Sequence, residues 1–168
     1  MRRLLALDAN LSARLRVAER PGLLRNLAAF LAHSGDSWFW LLGLILVWLL
    51  GSPAWKHRVL VLGAGILVTA LLVMLIKFTI HRQRPAGQWG EIYRATDPHS
   101  FPSGHAVRAV MLAVVALGLG PLWFGVVLAI WAPLVCLARV AMGVHYLSDV
   151  LAGMLFGLVM GGITLKLF

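Results

Sequence analysis

Three groups of ionisable residues lie at the ends of apolar segments, and the last of them combines a nucleophile with a carboxylate. It comprises Arg139, His145 and Asp149. Side chains four residues apart meet on a helix, so Asp149 could accept a hydrogen bond from one ring nitrogen of His145 and leave the other free to attack. A buried pair with a purely structural role would have the same spacing. Ionisable residues at membrane depth are costly and usually functional, which favours the nucleophile.

The second group is Pro102-Ser103-Gly104-His105, directly before an apolar segment. Ser103 is predicted to cap a helix, and Gly104 would let a ligand approach the backbone closely. The free N–H groups of a helix N-terminus form a ready anion site. A capped helix start with an incidental histidine would explain Ser103 but would leave His105 unexplained.

The third group is Lys77 with Arg84-Pro85. Both cations would share one face of a helix that continues for two turns beyond Lys77. Pro85 disfavours helical geometry at Arg84, so we expect the helix to end there. Considered alone, this pair is better explained as two cations that reach from a helix end to the interface.

The elements that must position these groups are membrane helices. The chain is 61% hydrophobic and 12% charged, whereas soluble domains are about half apolar and a quarter charged. A helix needs about 20 apolar residues to cross the hydrocarbon core, and somewhat fewer if its ends lie in the interface. The composition therefore predicts an all-α integral membrane bundle of about five transmembrane helices. The segments that predict them are residues 37–54, 59–80, 105–119, 121–138 and 147–166.

Residues 1–34 differ from the rest, because leucines and alanines alternate with arginines and Pro21-Gly22 interrupts them. We predict an amphipathic helix that lies in the interface, followed by a membrane-embedded domain over residues 35–168. A sixth span is less favoured, since Arg25 would lie inside it. A signal peptide is not expected at the start of this sequence, because Asp8 breaks the apolar stretch.

The formal charge of +9 does not predict a nucleic-acid partner. The cations lie at the N-terminus and between apolar runs, where they can meet lipid headgroups or phosphate. Cys136 is the only cysteine, which excludes a cysteine-rich metal site and predicts a packing role. Glu91 and Asp97 stand isolated in the polar loop, and His81 and His99 lack the spacing of metal ligands. The sequence therefore offers no cluster suited to a metal ion, and we interpret both histidines as loop residues.

Read in order, the three groups give K-x6-R-P, P-S-G-H and R-x5-H-x3-D. This pattern resembles the type 2 phosphatidic acid phosphatase superfamily, which includes the vanadium-dependent haloperoxidases. The resemblance covers about residues 35–168, and three complete motifs in the same order are strong evidence. The positions that match are Lys77, Arg84, Pro85, Pro102, Ser103, Gly104, His105, Arg139, His145 and Asp149.

The resemblance implies a metal-independent lipid phosphatase that needs no cofactor and works through a phosphohistidine. His145 would attack phosphorus and Asp149 would orient it. His105 would protonate the leaving oxygen and then activate water. Phosphoryl transfer depends mostly on positioning and charge stabilisation, and the residues implied to hold the phosphate are Lys77, Arg84, Ser103, Gly104 and Arg139.

Several substrates agree with these residues: undecaprenyl diphosphate, phosphatidic acid, phosphatidylglycerol phosphate and a lipid A phosphate. The short chain and minimal loops favour a bacterial isoprenoid diphosphate. Arg108, one turn beyond His105, could face the same phosphate, a second phosphate or an internal ion pair. We also expect an apolar groove between the helices that admits a lipid chain from the bilayer.

Two other functions are compatible with parts of the pattern. A haloperoxidase would hold vanadate in the same cradle, but those relatives are large and soluble. A membrane protein that only binds or transports a lipid phosphate would need the cations, yet it would have no need for His145 beside Asp149 with His105 opposite.

The two indications of orientation disagree. The side that holds the motifs also carries more arginines, and the positive-inside rule would place that side in the cytoplasm. The resemblance to bacterial relatives instead favours a site on the outer face of a bacterial cytoplasmic membrane.

Overall fold

The computed structural model describes residues 2–87, 89 and 97–168, and this part of the chain is helical, apart from turns and one isolated bridge between Gln83 and His99. Seven helices are described in full. They are α1 (Arg2–Arg14), α2 (Leu23–Ser34), α3 (Ser37–Leu50), α4 (Pro53–Ile80), α5 (Gly104–Leu119), α6 (Leu122–Ala141) and α7 (Leu147–Leu167).

The lengths and apolar character of the helices suit a membrane. Three of the described helices, α4, α6 and α7, are long and apolar enough to cross a bilayer. The pair α2 and α3 meets the same test only together and bends by 57° at the break between them, while α5 is a shorter apolar helix. The prediction of an all-α membrane bundle is confirmed, with three or four spans by length where about five were expected.

Most predicted segments agree with the observed helices to within a few residues, and the main difference lies at the turn between α3 and α4. The first segment was predicted to end at residue 54 and the second to begin at 59, but α3 ends at Leu50 and α4 begins at Pro53. Proline is favoured at the first helical position because its missing N–H has no helical partner there. Helix α4 therefore includes Trp55, Lys56 and Arg58, and it reaches Ile80 as one element of 28 residues.

Helix α5 is the central element of the bundle, and α7 packs closely against it. Glycines on α7 make this approach possible: a methyl group at Gly157 would lie 2.5 Å from the carbonyl oxygen of Val107, and one at Gly153 would lie 2.7 Å from that of Ser103. Small residues four apart let membrane helices approach backbone to backbone. As a result, the N-termini of α5 and α7 lie side by side.

Helix α1 is joined to the start of α7 by hydrogen bonds. The hydroxyl of Ser12 accepts from the N–H of Leu147 at 2.8 Å, and Asp8 Oδ1 accepts from the N–H of Ser148 at 3.0 Å. The first N–H groups of any helix lack intrahelical partners, so α1 supplies the acceptors that α7 needs. Whether residues 1–34 lie in the interface stays a prediction.

Candidate active site

His145 lies in the turn between α6 and α7 and is 1% exposed. Its Nδ1 is 2.8 Å from the carbonyl oxygen of Ser100, and its Nε2 is 3.3 Å from Arg84 Nη1. A carbonyl oxygen only accepts and a guanidinium only donates. Nδ1 therefore carries the hydrogen, and Nε2 presents its lone pair.

The charge state of His145 follows from its surroundings. Burial, together with the positive charges of Arg139, Arg84 and Lys77, lowers the pKa of His145 well below its usual value. The imidazole is therefore neutral near pH 7. A neutral ring with its lone pair on Nε2 is the form that can attack phosphorus.

The carbonyl that orients His145 is held by the polar loop. Ser100 donates its N–H to the carbonyl of Arg82 at 2.8 Å and its hydroxyl to that of Gln83 at 3.2 Å. The loop thus folds back along the chain that follows α4, and this contact places the Ser100 carbonyl against the imidazole.

Asp149 lies near His145, as its spacing predicted, but the two do not form the short contact that was expected. The distance from Asp149 Oδ2 to His145 Nδ1 is 3.7 Å. The carboxylate instead accepts from the N–H of Tyr146 at 2.9 Å and from Arg82 Nη1 at 2.6 Å. Its role in orienting His145 stays a prediction.

Lys77 and Arg84 meet at one carboxylate, which sequence reasoning treated as isolated. Asp97 Oδ2 accepts from Arg84 Nη2 at 2.7 Å and pairs with Lys77 Nζ. Arg84 also donates to the carbonyl of Val144 at 2.8 Å. Lys77 and Arg84 therefore share one acceptor beside His145, and an entering phosphate would compete with Asp97. Helix α4 ends at Ile80, so Arg84 reaches the site from the loop.

Ser103 and Arg139 are both buried next to the histidines. Ser103 is at the N-cap position of α5, as predicted, but its side chain makes no capping hydrogen bond. Its N–H donates to the carbonyl of Asp149 at 3.0 Å, and its hydroxyl has no protein partner among the described residues. Arg139 is 1% exposed at the end of α6.

His105 pairs with an acidic residue that sequence reasoning missed. Its Nε2 lies 2.6 Å from Asp36 Oδ1, and the other oxygen of Asp36 lies 3.2 Å from His33 Nδ1. Asp36 occupies the break between α2 and α3, so the bend brings this carboxylate to the start of α5. No pattern in the sequence links residues so far apart.

A cavity of about 190 Å³ joins these groups. Its walls include Lys77, Gly104, His105, Arg108 and His145. By contrast, His81 and His99 pack edge to face with ring centroids 4.7 Å apart and do not line this cavity. Of the acidic residues assigned to the loop, Glu91 lies outside the described residues. Within the described ranges, no group of three or more His, Cys, Asp or Glu side chains could hold a metal ion.

The chain is similar to known proteins in sequence. The family model of the PAP2 superfamily matches residues 58–168. The decaprenylphosphoryl-5-phosphoribose phosphatase of Mycobacterium tuberculosis H37Rv is 34% identical over 149 residues, which cover 88% of this chain and 82% of that protein. The undecaprenyl-diphosphatase of Sulfolobus acidocaldarius is 29% identical over 144 residues, with 80% and 66% covered.

Solved structures show the same fold. The PAP2-type phosphatidylglycerolphosphate phosphatase of Bacillus subtilis superposes with a TM-score of 0.76 at 23% identity, covering 99% of this chain and 87% of that one. LpxE of Aquifex aeolicus gives a TM-score of 0.74 at 29% identity, covering 95% of each chain. With the family match over most of its length, the chain belongs to the PAP2 superfamily and is a membrane-embedded phosphatase.

Proposed function

We propose that the protein removes phosphate from a membrane lipid phosphate or diphosphate through a phosphohistidine at His145, without a metal. The observation that carries the proposal is the state of this imidazole. It is buried and neutral, its Nδ1–H is fixed on the Ser100 carbonyl, and its Nε2 lies 3.3 Å from Arg84 beside a cavity lined by further cations.

In the first step, Nε2 of His145 attacks phosphorus and forms an N–P bond, while the bond from phosphorus to the leaving oxygen breaks. His105 gives that oxygen its proton. Lys77, Arg84 and Arg139 stabilise the charge that spreads over the phosphoryl oxygens. The unpartnered hydroxyl of Ser103 can donate to one of them.

In the second step, water gives a proton to His105 and attacks phosphorus. The N–P bond breaks, inorganic phosphate leaves, and His145 is neutral again. The carboxylate of Asp36, 2.6 Å from His105 Nε2, stabilises the protonated form of His105 that each cycle requires. Asp149, within 4 Å of His145, stabilises the positive charge of the phosphorylated ring.

The substrate class that we favour is a polyprenyl-linked phosphate or diphosphate. Relatives that act on decaprenyl and undecaprenyl compounds support it by their names. A second cavity of about 570 Å³ lies between α3 and α4, and its walls are almost wholly apolar, from Phe39 and Leu44 to Val59 and Trp123. The catalytic cavity also reaches between these helices, at Ser37 and Val73. This arrangement supports a lipid chain held between α3 and α4.

The experiment measures phosphate release by detergent-purified protein from undecaprenyl diphosphate, phosphatidic acid, phosphatidylglycerol phosphate and a lipid A phosphate, with excess chelator. We expect release that survives chelation and is lost in His145→Ala. Release from none of the lipids would favour a protein that only binds or transports lipid phosphate. Release abolished by chelator would contradict the metal-independent mechanism.

We further propose that the protein lies in a bacterial cytoplasmic membrane with the site on the outer face. Helix α4, about 42 Å long for its 28 residues, separates Ser52 from the site. In intact cells, a membrane-impermeant thiol reagent should label Pro98→Cys and leave Ser52→Cys unlabelled. Cys136 is buried, so the unmodified protein is the control. The reverse labelling would place the site in the cytoplasm.

A further inference from the structure

Arg108 is a buried cation that the proposed mechanism does not use. It lies on α5 one turn beyond His105 and is 7% exposed. Its Nε donates to the carbonyl of Gly35 at 2.8 Å, and its Nη2 donates to the same oxygen. Among the described residues, no carboxylate lies within 4 Å of its guanidinium, which stays charged in proteins. One carbonyl leaves several of its five N–H donors available.

The cavity extends past His105 to Arg108. Its volume is about 190 Å³. The wall formed by α4 runs from Lys77 to Thr69, about 12 Å along that helix. The cavity is therefore deeper than a single phosphoryl group held at His145 requires.

The order of groups along α5 gives the cavity a direction. Gly104 begins the helix, His105 follows, and Arg108 lies about 4.5 Å further along the axis. If His145 takes the phosphoryl group and His105 protonates the leaving oxygen, Arg108 lies on the leaving-group side. Gly104 lies beside Val73 of α4, and the part of α4 that lies on the far side of Thr69 from Lys77 lines the apolar cavity, at Leu62 and Val59. A substrate thus meets Arg108 between its reacting phosphate and its lipid chain.

We infer that Arg108 binds a second anionic group of the substrate, a phosphate placed between the scissile phosphoryl group and the lipid chain. The inference rests on the proposed function and narrows its substrate class. Lipids with two phosphates in series, such as a polyprenyl diphosphate or a sugar phosphate attached through a phosphodiester, satisfy Arg108. Lipids with a single phosphate directly on the apolar part leave the remaining N–H donors of Arg108 without an anionic acceptor.

The test compares farnesyl phosphate with farnesyl diphosphate, because they share one chain and differ only in the second phosphate. Initial rates give the ratio of kcat/KM for diphosphate over monophosphate. We expect a ratio above ten for the unmodified protein and a fall in this ratio of about 10–100-fold in Arg108→Gln, as for the loss of a charge-assisted hydrogen bond. Arg108→Lys, which keeps the charge, should retain most of the preference.

Arg58→Gln is the matched control, because Arg58 also donates to a carbonyl, that of Leu119 at 2.7 Å, at the other end of the bundle. This variant should leave the ratio unchanged. A ratio near one in the unmodified protein would overturn the inference even if Arg108→Gln failed to fold. The inference would also be overturned if folded Arg108→Gln lost kcat/KM equally on both substrates. The same holds if Arg108→Lys and Arg108→Gln lost the preference for the diphosphate equally. No release from either substrate, or release that persists in His145→Ala, would instead contradict the proposed function.

Discussion

At the scale of single residues, the reactivity of His145 depends on which of its nitrogens meets a donor and which an acceptor. The carbonyl of Ser100 fixes the hydrogen on Nδ1, and Arg84 donates to Nε2. Burial and the neighbouring cations keep the ring neutral. The same cations that would bind phosphate therefore also prepare the nucleophile.

The lowered pKa of His145 predicts the pH dependence of the reaction. Attack requires the neutral ring, so the acid limb of kcat/KM that belongs to His145 should lie below pH 6.5, the usual value for a histidine. Arg84→Gln removes one of the charges that lower the pKa. The limb should therefore move to higher pH in this variant, on top of a large loss of rate.

The substrate supplies an internal check, because a phosphate monoester has its own pKa of about 6. A limb that belongs to the substrate would have the same position in both proteins. Arg58→Gln removes a charge at the far end of the bundle. This variant should leave the acid limb at the pH found for the unmodified protein, whether the limb belongs to His145 or to the substrate. An acid limb at the same pH in Arg84→Gln would contradict the assignment to His145.

The residues that the motifs predicted largely meet in one place, while their acidic partners were not predicted. His105, His145 and Lys77 line one cavity, and Asp149 and Arg84 lie within 4 Å of His145. Spacing along a helix reveals neighbours four residues apart. The pairs Asp36–His105 and Asp97–Lys77 join different elements. They form only because the break between α2 and α3 and the polar loop each fold back to the site, and the periodicity of the sequence does not predict either path.

At the scale of elements, α1 supports the start of α7 although it lies outside the residues matched by the family model. Arg82 joins the two helices, since its guanidinium donates to Asp8 Oδ2 and to Asp149 Oδ1, each at 2.6 Å. Burial alone would raise the pKa of Asp8, but hydrogen bonds from Ser148 and Arg82 outweigh it and lower the pKa. The stabilisation from Asp8 is therefore present above its usual pKa and is lost as pH falls through the lower folded value.

Asp8→Ala should destabilise the protein by about 1–2 kcal/mol, as the loss of a helix cap does, and should reduce turnover through Arg82 and Asp149. Thermal unfolding in detergent measures the first effect. Asn10→Ala, an exposed change on the same helix, is the control. Equal melting temperatures for the two variants would show that α1 does not stabilise α7.

The boundaries of the helices were more predictable than their packing. Apolar length located α5, α6 and α7 to within a few residues, because charges and Gly120-Pro121 mark their ends. The four-residue spacing of Gly153, Gly157 and Gly161 was available in the sequence and would have predicted the close contact of α7 with a neighbour. It could not have identified α5 as that neighbour, since spacing alone does not name a partner.

At the scale of the whole molecule, α3 and α4 enclose an apolar cavity between the site and the other end of the bundle. Trp55 and Trp123 line its far end. For substrates dissolved in water, each methylene group that enters this cavity leaves water, so their affinity should rise with chain length until the cavity is filled.

Gly43→Leu tests this groove, because Gly43 lines it and a side chain added there meets open space. The variant should lose turnover of undecaprenyl diphosphate by at least tenfold more than turnover of a short water-soluble phosphate. Gly162→Leu, also in open space but on α7, should affect neither. Equal rates on long and short substrates in the unmodified protein would count against the groove.

The bend between α2 and α3 contacts the site through two residues. The carbonyl oxygen of Gly35 accepts from Arg108, and the carboxylate of Asp36 pairs with His105. The shape of the bundle is therefore linked to the state of the site. Coupling of this kind is reciprocal. A ligand that draws Arg108 or His105 away removes a contact that holds the bend. Conversely, a force that straightens α2 and α3 moves Gly35 away from Arg108 and Asp36 away from His105. Hydrophobic mismatch alters the tilt and bending of helices in bilayers of different thickness. We therefore expect turnover in reconstituted bilayers to change with the thickness of the surrounding membrane.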